Sequence, residues 1–262
     1  MCIRDSIYSL QSEWIKTRRT AASWLVIIGA FFIPAIIIVI RFARADKIPA
    51  LYKNPTFWQE HYFENWQMMA FLLLPMGIIL STSLITQLEY RNNSWKQLHT
   101  TPQLFSTIFF SKLSVIVLMM LQFFILFNLG IYLSAIIPLL FNKNAVYPPQ
   151  QIPYIPFLKY NAMFFIGCLP VIALQYLLSL KFKNFMVPLG IGIALLVAST
   201  FAIQWKYGYT VPYTYCAYAY LQLGNTNTKA VMPVNIQLLS AIVAVAFIGA
   251  GYLLYISKKD KC

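Results

Sequence analysis

Long apolar runs alternate with short polar segments along the whole chain. A helix needs about 20 mostly apolar residues to cross a bilayer. Six windows meet that length, near 23–40, 68–88, 113–140, 161–180, 187–204 and 238–256. The fourth and fifth are separated only by 181–186, but together they are far too long for one crossing. The pattern predicts an all-α membrane protein with six transmembrane helices. The first run is longer than the core of a secretory signal, and Arg41 and Arg44 follow it without a small-residue cleavage pattern, so it is read as a retained span.

The polar segments carry patterns of their own. Ile7, Leu10 and Trp14 fall on one helical face and precede Lys16, Arg18 and Arg19. That spacing predicts an amphipathic helix lying in the membrane interface. Asn54-Pro55 reads as a helix start, and Trp58, Tyr62 and Trp66 then recur every fourth residue. They predict a short interfacial helix that leads into span two. The 205–236 segment is too polar to span and rich in tyrosine, which predicts interfacial or re-entrant structure. Between spans two and three, Glu89 and Arg91 close one helix, and Thr101-Pro102 start another. The 89–112 segment therefore reads as helix, sharp break, helix, with Trp95 and Leu98 exposing apolar surface that needs a partner.

Composition changes the picture in one respect: it excludes a soluble protein. The chain has 262 residues, 60% hydrophobic and only 10% charged. Soluble domains carry about 25% charge. A net charge of +13 would suggest nucleic acid in a soluble protein, but here the basic residues sit at the ends of apolar runs, where they set topology. Twelve of the 20 lysines and arginines fall in the N-terminus, the 89–112 and 181–186 segments and the C-terminal tail; eight fall on the other side. The denser side is read as cytoplasmic, so both termini are inside and the locale is the cytoplasmic (bacterial inner) membrane.

Candidate chemistry is sparse. The span interiors hold no Asp, Glu, Lys, Arg or His, whereas ion-coupled transporters and proton pumps usually need an ionisable group within the membrane. His61 and His99 fall on opposite sides and cannot share a metal. His61 with Glu60 and Glu64 is a weak ligand set, read as an interfacial polar cluster. HExxH, GxSxG and GxxxxGK[ST] are all absent from the sequence. The four cysteines show no CxxC pairing and read as isolated thiols. Uncharged polar residues do occur in the spans. Ser81, Thr82, Thr86 and Gln87 cluster in span two, Gln122 and Asn128 lie in span three, and Gln175 in span four. They read either as hydrogen bonds between helices or as the lining of a pathway or dimer seam. Pro34, Pro75, Pro138 and Pro170 would kink their helices, which membranes tolerate. The first six residues resemble a translated sequencing adapter, so 7–262 is read as one domain.

The pattern Glu89-x-Arg91, Ser94-Trp-Lys-x-Leu98, Thr101-Pro102 and Ser111-Lys112 resembles the membrane subunits of ABC-2 type exporters between their second and third helices. Ser12-Glu-Trp-Ile-Lys-Thr-Arg-Arg19 is similar to that family's leading amphipathic helix. The subgroup it looks most like is the permeases of lantibiotic or bacitracin-type self-protection. The resemblance implies two permease copies or paralogues paired with two separate ABC ATPase subunits, with no cofactor on this chain and membrane lipids around it. It implies a cytoplasmic coupling helix in the 89–112 segment, with Glu89, Arg91, Trp95, Lys96, Leu98 and Pro102 as its contact set. It also implies an interfacial helix built on Glu13, Trp14, Lys16 and Arg19, a path lined by spans two and five, and outward movement of a peptide, lipid or drug-like substrate. The competing reading is a non-transporting scaffold or sensor that recruits a cytosolic partner through the same segment.

Overall fold

The computed structural model describes residues 3–91, 104–142, 146–224 and 234–257. Among the described residues every regular element is helical. In chain order, α1 is Ile3–Thr17, α2 Ala21–Ala43, α3 Ile48–Tyr52, α4 Phe57–Met68, α5 Leu74–Arg91, α6 Phe105–Phe141, α7 Tyr154–Lys181, α8 Met186–Ala202, α9 Tyr215–Gly224 and α10 Ile236–Ser257. Among the described residues, five helical stretches are long and apolar enough to cross a membrane: α2, the α4–α5 stretch over Phe57–Gln87, α6, α7 and α10. The sixth expected span is α8, with 17 residues. At 1.5 Å per residue it reaches about 26 Å, the lower limit for a crossing.

Span two starts earlier than its apolar run. α4 continues into α5 through a wide π turn, Met69–Leu73, in which the Leu74 N–H bonds Met69 O. Pro75 lacks the N–H that would bond the carbonyl four residues back, and the widened turn accommodates that loss. The short helix expected to lead into span two is present and runs on into the span, and its aromatic face packs on protein. Trp58, Tyr62 and Trp66 are at most 6% exposed. Their rings meet α6 and α7: Trp58 stacks on Tyr132 at 6.1 Å, Tyr62 lies 4.3 Å from Phe157, and Trp66 sits edge-on to Phe157 at 5.1 Å. The helix also begins two residues later than read. Asn54 Oδ1 accepts the Thr56 N–H at 3.1 Å, a local turn that competes with capping, and the helix opens at Phe57.

The closest helix pairs are α7 with α10 and α2 with α6. Proline and glycine meet in the second pair. A Cβ on Gly130 would sit 2.9 Å from Pro34 Cγ, so only glycine allows this approach. Gly130→Val is expected to separate α2 from α6 at a cost of about 1–3 kcal/mol, the range for overpacking, read as a lower thermal midpoint in detergent. Asn128 and Asn161 bond reciprocally between α6 and α7 at 2.8 and 3.1 Å, as expected of a span amide.

The 205–224 segment folds back into the bundle instead of lying on its surface. Two 3₁₀ turns, Gly208–Thr210 and Pro212–Thr214, lead into α9. Tyr213, Tyr215, Cys216, Tyr218 and Ala219 are all buried. Thr214 Oγ1 donates to Gly208 O and Val211 O, satisfying backbone that has left regular structure. Gly208 lies against Ala202 O and the Tyr218 hydroxyl, leaving no room for a side chain. Cys168 and Cys216 are buried free thiols; Cys2 and Cys262 lie outside the described residues.

Candidate functional site

Besides the Asn128–Asn161 pair, three polar constellations stand out among the described residues. The first ties α1 to the foot of α6. Glu13 is 6% exposed. Its Oε1 accepts Lys16 Nζ at 2.6 Å, and its Oε2 lies 4.0 Å from Lys112 Nζ. Lys112 is itself buried on the second turn of α6. One turn to either side of Glu13, Ser9 and Thr17 are also buried, and α6 presents buried Thr107 and Ser111 on its first turns. The stripe of α1 against protein is therefore polar at i, i+4 and i+8.

This sharpens the amphipathic reading. Leu10 and Trp14 flank the polar stripe and pack on the core, while Ile7, Tyr8 and Ile15 are exposed. Lys16 is half-exposed, and Arg18 and Arg19 are exposed. An ion pair that is mostly buried contributes little net stability, because desolvation offsets attraction. It does fix position: Glu13 admits α1 in one register on α6.

Glu89 and Arg91 belong to the last turn of α5, although their side chains lie outside the described set. Trp95, Lys96, Leu98 and Pro102, and the coupling helix expected there, lie outside the described residues.

The second constellation is at the centre. Ser81, Thr82 and Thr86 are buried within the chain's own bundle, and Gln87 is half-buried. Ser81 donates to Ile78 O, and Thr86 to Thr82 O and Ser83 O, all within α5. The bond that leaves the helix is made by their neighbour Ser83. Gln175 Nε2 donates to Ser83 Oγ at 3.1 Å and to Pro188 O at 2.9 Å, and the Tyr213 hydroxyl donates to Gln175 Oε1 at 3.1 Å. One amide thus joins α5, α7, α8 and the folded-back segment. A Cβ on Gly192 would come within 2.8 Å of Gln175 Oε1. Gln175→Leu is expected to cost roughly 1–2 kcal/mol, the upper range for bonds between membrane helices, and to loosen α8 first; hydrogen exchange along α8 reads this.

The third constellation, at the opposite end of α2, was missed in the sequence. Arg41 is 8% exposed. Its Nη1 donates to the Tyr52 hydroxyl and to Ser134 O, both at 2.9 Å. Its Nη2 lies 2.9 Å from His61 Nδ1. A guanidinium only donates, so Nδ1 is the acceptor and the ring proton sits on Nε2. From there it reaches Ile131 O and Ser134 Oγ, both at 3.1 Å. Pro138 explains the carbonyl: it has no N–H for Ser134 O, four residues back, and Arg41 takes that lone acceptor. His61 is thus not grouped with Glu60 as read; Glu60 bonds Asn54 and Thr56 instead. A proline in span three together with an Arg and a His near span ends was the available signal.

A comparison with protein families matches residues 9–199 to the family described as ABC-2 family transporter protein. No curated protein and no solved structure matches the chain.

Proposed function

The chain belongs to the ABC-2 family of transporter proteins, and from that membership we propose that it is the permease subunit of an ATP-driven exporter whose ATP-hydrolysing subunits are separate chains. Two permease copies or paralogues pair in the cytoplasmic membrane with both termini inside, and a peptide, lipid or drug-like substrate moves outward. The sequence carries no phosphate-binding loop, which supports a power source on a partner chain.

The observation that carries this reading is the foot of α6. The helix leaving the 89–112 segment is fixed to α1 through Lys112 and Glu13. A push delivered near Trp95, Lys96 and Leu98 would then move α6 and α1 as one lever. Glu89 and Arg91 would carry the same push into α5, and Pro102 would hold the break that aims it. At the centre, separation of α8 from α5 would break the Gln175 bonds and turn Ser81, Thr82, Thr86 and Gln87 toward a path. The lever is tested by co-purification with a Walker-motif ATPase subunit expressed together with it. Trp95→Ala and Lys96→Glu should each abolish co-purification while membrane insertion persists; unchanged co-purification sinks this reading.

A further inference from the structure

The Arg41 network leaves a question of charge. The guanidinium has five N–H groups, and three are used, on a hydroxyl, a carbonyl and a neutral imidazole. Among the described residues no carboxylate lies within ion-pair distance of it. Its other neighbours are the Tyr52 and Phe57 rings, 5.4 and 5.3 Å away, so every partner is uncharged, whereas a buried charge is normally paired with an opposite one. Arg41 also lines a cavity of about 300 Å³ between α2, α3 and α4. Arg44 and Lys47 line it too, and both are exposed. The acids on the same wall are Glu60, held by Asn54 and Thr56, and the exposed Glu64. Asp46, on the turn with Lys47, does not line it. That turn is pinned from α6, where the Asn142 side-chain amide donates to Ala45 O at 2.9 Å.

Apart from His61, the remaining wall is apolar. Ile37 and Ile40 line the cavity, and Ile40 continues onto the exposed apolar face of α2 with Ile36 and Val39. An occupant therefore needs an anionic head for the three cations and an apolar body to lie along α2. Inorganic phosphate has only the first, and a zwitterionic lipid cancels its own charge.

We propose that the cavity between α2, α3 and α4 binds the headgroup phosphate of an anionic phospholipid, with Arg41 at its floor, Arg44 and Lys47 at its rim, and the acyl chains along α2. The site is independent of ATP coupling, and it makes a structural ligand of a lipid from the leaflet at that end of the bundle. Arg44 and Lys47 act as long-range attraction at the rim, whereas Arg41 makes the short contact.

The test uses the delipidated full chain in neutral detergent, with the thermal-unfolding midpoint as readout. Short-chain phosphatidylglycerol should raise the midpoint. Short-chain phosphatidylcholine and inorganic phosphate should leave it unchanged at the same concentration. Arg44→Gln and Lys47→Gln, whose exposed side chains leave the fold intact, should each weaken phosphatidylglycerol about fivefold, the effect of roughly 1 kcal/mol per basic residue. Glu64→Gln should tighten it. A phosphatidylglycerol response no greater than that of phosphatidylcholine or of free phosphate overturns the proposal. So does a lipid-free midpoint that falls as far in Glu64→Gln as in Arg41→Gln, because Glu64 is then the counter-ion.

Discussion

Lys112→Glu is expected to release α1 from the foot of α6 and to stop transport without stopping insertion. The substitution faces Glu13 with a second carboxylate at about the present 4.0 Å separation. Two like charges at that distance repel by on the order of 4 kcal/mol at an effective dielectric of 20. Lys16 remains on the other Glu13 oxygen, but it is half-exposed and offsets only part of this. The polar stripe of Ser9 and Thr17 contributes less, so the helix lifts. A cysteine placed at Ser9, which is buried in the parent, should become reactive to an impermeant maleimide. The spans lie beyond this contact and should insert as before. Glu13→Lys combined with Lys112→Glu should restore part of the protection, since it restores opposite charge. If the double variant stays as reactive as the single one, the ion pair is not what positions α1.

Arg41→Leu is expected to be the most destabilising substitution at the other end of the bundle. It strands Ser134 O and leaves His61 Nδ1 with only the long 3.5 Å contact to Asn65 Nδ2, both buried acceptors that Arg41 now satisfies. Each orphan costs about 1–3 kcal/mol, so the total is on the order of 3 kcal/mol. Tyr52 is spared, because its hydroxyl still donates to Ala135 O at 2.6 Å. Arg41→Lys should recover little, since one ammonium cannot reproduce the forked geometry that reaches Tyr52, Ser134 and His61 together. Removing His61 should cost less in the Arg41→Leu background than in the parent. A double-mutant cycle on thermal midpoints measures this, and a coupling below about 0.5 kcal/mol would separate the two residues.

The two ends of the molecule were unequally legible in the sequence. Apolar runs located the spans, because length and hydropathy alone decide what can cross a bilayer. Asn128 and Gln175 could be read as interhelical bonds, because a span amide has few other partners. Periodicity found the Trp58, Tyr62 and Trp66 face, but it reports which side is apolar and not whether lipid or protein covers it. The Arg41 network was hidden for a different reason. Its acceptors include a backbone carbonyl freed by Pro138, and no side-chain pattern encodes that. The polar stripe of α1 was hidden because its complement, Lys112, is nearly a hundred residues away in the chain. The resemblance named the family, and the match over residues 9–199 shows it.

We propose that ATP-driven work enters this permease through the segment between α5 and α6. A photo-crosslinking amino acid placed at Leu98, and separately at Lys206 in the segment after α8, tests it in intact membranes that also carry a partner ATPase subunit. An adduct with the ATPase is expected from position 98 and none from position 206. An adduct from position 206 and none from position 98 would contradict it.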